Sequence, residues 1–542
     1  MRARFDPTRT RRLAERLVAI PSASPDRAGE TRCGRVLLAA LPPGIEGGVW
    51  RLRDRREVVW GRLRADSGRR SATLAGQRRA RGRKRCALLL LDHHDTVGVA
   101  EYARLGARGG ARLAFQPRRL RERIAELAPA IGGAPELLES LRADLAAGAD
   151  WMFGRGALDM KSGLAAGVAA LDLLAARGAD LGGDVLFVSC PDEEHESAGM
   201  LAAVGQIARL RDAGKLELLG VINLDYCEGP VGYAGLMGKR LAGVCVIGRP
   251  AHAAAPFEGA DAAQIAAAIV HHATLSPALA ERTEGAAGPP PVALRLRDLK
   301  PGYDAQTCAE AVVELNLLSC GRGIEETLEA LRQVVRGALD EVAARMDALA
   351  PPSRAGAHPA RGAPVLTYPE LVERAGSAGA EKSRRAAGPA GRRAPRDLRD
   401  LSLERVRALA RAARLEGPAV VLYLAPPFHP HAPPGTGPLT AAARAVLARA
   451  GQELHPFYPF ISDASYLSWH AESLEVLARH MPALGAEYRL PAEHSRALDL
   501  EVVTLGPWGR DAHSLLERVY APYAFETLPR LIAEVAAEAL RR

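Results

Sequence analysis

Apolar residues along this 542-residue chain recur in two spacings, and segments with the two spacings alternate through most of it. Short continuous apolar runs that end in polar residues predict buried strands at 87–91, 185–190 and 220–224. Apolar residues three to four positions apart predict amphipathic helices at 8–19 and 165–176. Strands that alternate with helices are typical of α/β proteins, so we expect a mostly parallel mixed sheet flanked by helices.

The pattern changes near residue 237 and predicts a second, smaller domain. A strand, a helix, two more strands and a long helix follow one another over 237–349, a β-α-β-β-α unit of domain size. We therefore predict an inserted α+β domain at 237–349 and a catalytic domain made of 1–236 and 350–542. Residues 374–398 are rich in Pro, Gly, Ala and Arg, which predicts a poorly ordered loop. The strand predicted at 419–431 is expected to resume the α/β pattern of the catalytic domain.

Composition narrows the class of protein. Hydrophobic residues make up 48% of the chain and charged residues 25%, as in globular proteins. No apolar run reaches the ~18 to 20 residues that a membrane span needs, and the basic N-terminus has no signal-peptide features. We therefore expect a cytoplasmic protein without a membrane partner. The seven cysteines are scattered and form no CxxC pair, which argues against a disulfide framework and against a thiolate zinc site.

The net charge of +9 raises the question of a nucleic-acid partner. Much of the excess lies in residues 51–85, where arginines alternate with small residues and aromatic residues are almost absent. Such a segment is typical of a solvated surface loop rather than of a nucleic-acid patch. We predict a surface loop there and no nucleic-acid partner.

Histidines and carboxylates stand where predicted strands end and helices begin, which is where open α/β sheets build sites. After the 87–91 strand, alternation puts His93 and Asp95 on one side and Asp92 and His94 on the other. The remaining candidates at such boundaries are Asp159, Glu193, Glu194, Asp225 and His513. Imidazoles and carboxylates without thiolates suit two divalent ions bridged by a carboxylate.

Glu193 and Glu194 follow Asp192 in a run of three carboxylates, which is costly unless a cation neutralises it. Because neighbouring side chains at a strand end point in different directions, one glutamate can bind a metal. The other can then stay free as a general base towards a metal-activated water. A metal that also polarises a carbonyl group completes the chemistry of amide-bond hydrolysis.

Five motifs carry a resemblance to a known family: HxDTV, GRGxxDMKxG, the DEE triplet, GRPAHAAAPFEG and a C-terminal GRDAH. In this order along nearly the whole chain they resemble the co-catalytic zinc aminoacylase, dipeptidase and desuccinylase family. The segments FYPFISDASYL, LAPPFHPH and GPWGRDAHSLLERVYAPYAFE look most like its arginine-utilisation (RocB) branch. The resemblance implies a zinc-peptidase/phosphorylase-like catalytic domain and makes the 237–349 insert a lid or dimerisation domain.

The resemblance also implies a ligand set for two metal ions, with zinc expected and cobalt or manganese as alternatives. His93, Asp159 and Asp225 would hold one ion. Asp159, Glu194 and His513 would hold the other, so that Asp159 bridges the two. Many members of the family have a glutamate slightly later than Asp225, which leaves Glu228 as an alternative ligand, although the INLDY context favours Asp225.

Three further residues receive catalytic roles from the same resemblance. Glu193 would be the general acid/base, and Asp95 would orient the site beside His93. His252, in the loop of the insert, would stabilise the oxyanion or grip the substrate, in the family often from the partner subunit of a dimer. His94 and Asp192 are interpreted as packing or turn residues beside the ligands.

One departure from the family concerns specificity. Members that cleave peptides or N-acyl amino acids usually carry, on the last strands of the lid, an arginine that grips the substrate carboxylate. Residues 301–319 contain no arginine and place Asn316 about where it is expected. Lys239, Arg240 and Arg249 are the substitutes that the sequence offers.

Together these patterns predict a metal-dependent hydrolase of a C–N bond in a small N-acyl or N-carbamoyl amino acid or a dipeptide-like substrate. A place in arginine or ornithine catabolism and a homodimer through the lid domain are further expectations. The alternative is a non-catalytic amino-acid-binding or sensing protein that retains the metallopeptidase fold.

Overall fold

The computed structural model describes residues 5–65, 84–106, 109–128, 135–146, 148–283, 286–354, 358–386, 397–470, 473–485 and 487–541. The chain forms two compact units. The first comprises Met1–Leu236, Ala432–Trp469 and Pro491–Arg542, and the second comprises Met237–His431 and His470–Leu490.

The first unit is built on a mixed sheet of eight strands among the described residues, in the order β1-β2-β5-β3-β6-β16-β7-β15. The four central neighbours β5, β3, β6 and β16 run parallel, whereas β1 and β2 are antiparallel to the strands beside them. This confirms the predicted mostly parallel mixed sheet. The strands are β1 Glu46–Arg51, β2 Glu57–Leu63, β3 Arg85–His93, β5 Asp184–Cys190, β6 Leu216–Asn223, β7 Gly232–Tyr233, β15 Leu454–His455 and β16 Val502–Thr504.

A small three-stranded sheet and a set of helices complete the first unit. The small sheet consists of β4 Trp151–Phe153, β17 Gly509–Arg510 and β18 Arg518–Tyr520. The helices are α1 Pro7–Val18, α2 Arg27–Ala40, α3 Gly110–Leu113, α4 Pro117–Leu127, α5 Pro135–Leu145, α6 Lys161–Ala175, α7 Ala198–Gly214, α12 Pro438–Arg449, α14 Ala492–Leu498 and α15 Leu528–Ala539.

Helix α6 lies at the centre of the core of the first unit. Small residues make its surface smooth, and it is buried on nearly every side. A Cβ atom at Gly163 would lie 2.3 Å from the carbonyl oxygen of Leu224, and one at Gly167 would lie 2.6 Å from the Leu224 side chain. The two glycines therefore let α6 approach the end of β6 more closely than any larger residue would allow.

The second unit is built on a five-stranded sheet in the order β11-β12-β8-β14-β13, with β13 and β14 parallel and the other neighbours antiparallel. Its strands are β8 Gly238–Ile247, β11 Val292–Asp298, β12 Glu310–Ser319, β13 Val365–Thr367 and β14 Ala419–His429, and a separate pair is formed by β9 Arg282–Thr283 and β10 Ala286–Ala287. Its helices are α8 Ala262–Ala273, α9 Ile324–Leu349, α10 Tyr368–Ala386, α11 Leu398–Ala412 and α13 Leu474–His480.

The prediction that the strand at 419–431 belongs to the catalytic domain is wrong. Ala419 pairs with Ile247 and Leu424 with Ala242, so β14 extends the sheet of the second unit. The second unit is therefore larger than the 237–349 insert expected from the sequence, while the role of that insert as a lid stays a prediction. The expected loop at 374–398 is also corrected, because α10 continues to Ala386 after a kink at Gly376, whose φ is +68°. Residues 387–396 lie outside the described residues.

The arginine-rich segment 51–85 is not one surface loop. Its residues 57–63 form β2, an inner strand of the main sheet whose Val58, Val59 and Leu63 are buried. The strand pairs with β1 on one side and with β5 on the other. Residues 66–83 of the same segment lie outside the described residues.

Within the described ranges, none of the helices combines the length and the apolar character that a membrane crossing requires.

Candidate metal centre

The candidate site forms where three parallel strands of the first unit end side by side. His93 at the end of β3 pairs with Cys190 at the end of β5, and Leu91 pairs with Asn223 at the end of β6. The segments that follow the three strands therefore begin at the same edge of the sheet. This register brings together His93, the segment 191–194 and Asp225.

Asp159 reaches the same edge from the turn between β4 and α6. Gly156 has a φ of +79°, and a Cβ atom there would lie 2.8 Å from Thr96, so the turn requires glycine. Asp159 lies just before α6, and α6 packs closely against Leu224, the residue that precedes Asp225.

Two groups of side chains at this edge have the geometry of metal sites. Ligand atoms of Asp92, His93 and Asp225 all lie within 4.8 Å of one another, and so do those of His93, Asp159 and Glu194. The His93 Nε2 atom is 3.2 Å from Asp159 Oδ1, which connects the two groups.

His513 closes the second group from almost the far end of the chain. Its Nε2 atom lies 2.8 Å from Asp159 Oδ2 and 2.9 Å from Glu194 Oε1. Since Asp159 faces His93 with one oxygen and His513 with the other, it stands where the sequence analysis expects a bridging carboxylate.

Asp95 supports both His93 and the glutamate pair. Its Oδ1 atom is 3.4 Å from His93 Nδ1. Its carboxylate also accepts the backbone N–H of Glu193 at 3.1 Å and that of Glu194 at 3.2 Å. The same carboxylate that orients the imidazole therefore positions the backbone of both glutamates.

The electrostatics of the cluster show an excess of buried negative charge. Burial and the charge of Asp159 raise the pKa of Asp225 to about 8. Burial and the charge of Asp225 raise the pKa of Asp92 well above its ordinary value. Burial alone would raise the pKa of Asp159, but hydrogen bonds with His513 and His93 lower it below its ordinary value. Carboxyl groups that resist ionisation at such close range indicate a place for cations.

The pKa values of the two imidazoles are also raised, which favours their charged form. Burial favours the neutral ring, yet the hydrogen bonds with Asp159 and Asp95 raise the pKa of His93 well above its ordinary value. Burial likewise disfavours the charge, but Asp159 and Glu194 raise the pKa of His513 to about 11. A divalent ion in each group would take the place of these protons.

The donor set fits two divalent ions. Imidazole nitrogens and carboxylate oxygens are ligands that zinc accepts, and no cysteine belongs to either group of described residues. Asp92 Oδ2 is buried without a hydrogen-bond partner, an open coordination position in the first group.

Asp92 was missed by the sequence analysis, which placed it on the side of the strand away from His93. Strand β3 ends at His93, and Asp92 Oδ1 accepts the backbone N–H of His93 at 2.7 Å. The carboxylate therefore bends towards the strand end, and its Oδ1 atom lies 4.0 Å from His93 Nε2. The available signal was its position as the first charged residue after the apolar run.

Glu193 lies beside the two groups and belongs to neither of them within the described residues. Burial raises the pKa of Glu193 well above its ordinary value. The charge of His93 lowers this pKa, whereas the charges of Asp463 and Glu194 raise it further. A carboxyl group that stands beside the metal ligands without being one of them is available to take a proton from water and to return it.

Another buried carboxylate, Glu517, supports the turn that carries Asp159. It accepts the backbone N–H of Leu158 at 3.1 Å and that of Asp159 at 3.3 Å, and it pairs with Arg155 at 2.5 Å. The sequence analysis missed this residue. Its only signal was an acid in the apolar context LLERVY.

Glu228, His94 and Asp192, which the sequence analysis weighed beside the ligands, lie in different environments. The Glu228 side chain is exposed and belongs to neither group of described residues, which favours Asp225 as the ligand. His94 is buried with its Nδ1 atom 2.9 Å from Ser189 Oγ, and burial lowers the pKa of His94 to about 4. Asp192 contacts Arg56 and caps a loop, as a turn residue would.

The second unit carries the remaining candidates. His252 is exposed in a loop, where its Nδ1 atom accepts the backbone N–H of Ala254 at 3.1 Å, and its catalytic role stays a prediction. Arg240 is buried and donates to the carbonyl oxygens of Gly323 and Arg322 and to the Thr327 hydroxyl. Its guanidinium is thus occupied within the second unit.

Comparison with known proteins identifies the family of this chain. Peptidase family M20/M25/M40 matches residues 137–503. YqjN of Bacillus subtilis (strain 168), described as an uncharacterized protein, is 30% identical over 473 residues, which cover 82% of each chain. Protein RocB of the same organism is 26% identical over 485 residues, which cover 85% of this chain and 83% of that one.

Solved structures share the fold. A tripeptidase from Staphylococcus aureus subsp. aureus Mu50 aligns with a TM-score of 0.53 and 14% identity, over 99% of this chain and 100% of the tripeptidase. The di-peptidase Dug1p from Saccharomyces cerevisiae aligns with a TM-score of 0.50 and 12% identity, over 99% and 96% of the two chains. The family resemblance expected from the motifs is confirmed. This chain belongs to peptidase family M20/M25/M40 and is a hydrolase of peptide or amide bonds.

Proposed function

We propose that this chain is a cytoplasmic zinc-dependent amidohydrolase that acts on a small N-acyl or N-carbamoyl amino acid or a dipeptide-like substrate. The observation that carries the proposal is one free carboxyl group, Glu193, next to two linked groups of imidazole and carboxylate ligands. A binding protein has no physical need for a proton-accepting group at that position.

Bound divalent ions would polarise the substrate carbonyl and lower the pKa of the attacking water. Asp159 would bridge them, with Asp92, His93 and Asp225 on one side and Glu194 and His513 on the other. Glu193 takes the proton of the attacking water and returns it to the leaving nitrogen. Asp95 keeps Glu193 in place through its backbone N–H and keeps the His93 ring oriented.

The proposal extends to the residues that hold the substrate and to the substrate class. Arg240 donates hydrogen bonds within the second unit, and Arg249 and Lys239 are the other candidates that the sequence offers for a substrate carboxylate. Arg249 donates to the carbonyl oxygen of Glu258 and stays exposed. The likeness to Protein RocB and the arginine-utilisation motifs support arginine or ornithine derivatives as the acylated amino acid.

The proposal is tested by counting metals and by a substrate panel. We expect two zinc ions per chain in the purified protein, and hydrolysis of at least one among N-acetyl, N-succinyl and N-carbamoyl derivatives of arginine and ornithine and their dipeptides. Chelation should abolish turnover, and added zinc should restore it. Binding of these amides without turnover, with the metals in place, would favour the amino-acid-binding alternative.

We also propose that the chain forms a homodimer through the edge strand β11. Val292, Leu294 and Leu296 are 38%, 57% and 50% exposed, an unusual row of apolar side chains on an edge strand. We expect Leu294→Glu combined with Leu296→Glu to convert a dimer to a monomer in light scattering. Leu349→Glu, at a leucine that is 66% exposed at the end of α9, is the control and should leave the dimer intact. A wild-type monomer would contradict the proposal.

A further inference from the structure

Arg56 is a buried cation in the first unit, and the metal ligands do not include it. Its Nε atom donates to Asp54 Oδ2 at 2.7 Å. Its Nη1 atom contacts Asp192 Oδ1 and lies 3.5 Å from Glu30 Oε2. One guanidinium thus joins three carboxylates, two of which, Glu30 and Asp192, are almost completely buried. A planar fork with five donors suits such a position.

The first arm of this network leads to the glutamate pair through Asp192. This residue has a φ of +73°, and its carbonyl oxygen accepts the backbone N–H of Ser197 at 2.6 Å. Its Oδ2 atom accepts the backbone N–H of Ala198 at 3.1 Å. Asp192 therefore closes the short loop that contains Glu193 and Glu194, and Arg56 holds the carboxylate that does so.

The second arm reaches the same two glutamates through Asp95. The Ser24 hydroxyl lies 2.9 Å from Glu30 Oε1 and 2.5 Å from Asp95 Oδ2. Asp95 in turn accepts the backbone N–H groups of Glu193 and Glu194. The two arms meet, so the pair is held from both sides by a closed network that starts at Arg56.

We propose that Arg56 is a positioning residue, which orients Glu193 and Glu194 through Asp192 on one side and through Glu30, Ser24 and Asp95 on the other. The inference rests on the proposed hydrolytic function, because positioning matters where a base and a metal ligand must stand next to each other. The residue comes from the arginine-rich stretch whose chemistry the sequence did not reveal.

The strand that follows Arg56 provides a matched control. Arg62 is equally buried, and it pairs with Asp184 at 2.6 and 2.9 Å; among the described residues this pair has no link to the glutamate loop. Replacement by methionine breaks a buried ion pair at either position, so both Arg56→Met and Arg62→Met should lower the melting temperature. A merely structural role for Arg56 would make the two variants alike in every other measurement.

We expect Arg56→Met to lower kcat ~10- to 100-fold with little change in KM, and to weaken zinc binding in chelator competition by a similar factor. Arg62→Met should match the wild type in both. Arg56→Lys, which keeps the charge but not the fork, should recover part of the loss. Equal kcat and equal zinc affinity for Arg56→Met and Arg62→Met would overturn the proposal.

Two provisions keep the experiment decisive. If Arg56→Met does not fold, Arg56→Lys and Arg62→Lys, which keep the charge, replace the two methionine variants. A lower kcat or weaker zinc binding in Arg56→Lys than in Arg62→Lys supports the proposal, and equal values overturn it. If the wild type hydrolyses none of the amides, the proposed function fails, and the zinc affinities alone then decide the role of Arg56.

Discussion

Replacement of Glu193 by glutamine is expected to lower kcat ~10²- to 10⁴-fold while the zinc content stays that of the wild type. Glutamine keeps the size of the side chain and the backbone N–H that Asp95 accepts, but it cannot take a proton from water. Because Glu193 belongs to neither ligand group of the described residues, its loss should not release an ion. Steady-state kinetics together with elemental analysis of the same sample measure both quantities.

Glu228→Gln is the matched control for this experiment. Glu228 lies three residues after Asp225, is exposed, and was the alternative ligand in the sequence. Its replacement should change neither kcat nor metal content. A Glu193→Gln variant with full activity would remove the general base from the mechanism. One that loses zinc would make Glu193 a ligand instead.

Residues at the ends of parallel strands could be predicted because local patterns determine them. An apolar run of strand length followed by polar residues indicates where the strand ends, and parallel strands end at a common edge. That reasoning placed His93 and Asp225 among the candidates for one site, and the structure has both in one group. His513 was a candidate from its position just past a strand, but its assignment beside Asp159 and Glu194 came from the family resemblance, since nearly 290 residues separate it from Asp225 along the chain.

What the sequence did not reveal depends on pairings between distant segments. Strand β14 has the apolar pattern of a buried strand, and nothing local indicates that its partner is β8 rather than a strand of the main sheet. Arg56 resembles the surface arginines around it until Glu30 and Asp192 are brought to it by the fold. Asp92 depends on where β3 stops, and the ends of elements are the least predictable feature of a sequence.

Replacement of Asp159 by asparagine is expected to remove both the metals and the activity. One oxygen of Asp159 faces His93 at 3.2 Å and the other faces His513 at 2.8 Å, so both ions would depend on it. An amide offers a single oxygen and no charge, and it therefore cannot serve two cations. We expect fewer than one zinc ion per chain by elemental analysis, and no measurable hydrolysis of the substrate found for the wild type.

Thermal unfolding separates this loss of metal from a loss of the fold. An ion at 100 times its dissociation constant adds about 2.7 kcal/mol to the wild type, so chelation should lower the wild-type melting temperature. In the metal-free wild type, Asp159 still pairs with His93 and His513, which hold the pKa of its carboxyl group below the ordinary value, and Asp159→Asn removes these interactions. The variant should therefore melt at or below the temperature of the chelated wild type, in one cooperative transition that does not respond to chelator. Asp172→Asn, a half-buried aspartate on α6, should behave as the wild type throughout, and zinc retained by Asp159→Asn would exclude the bridging role.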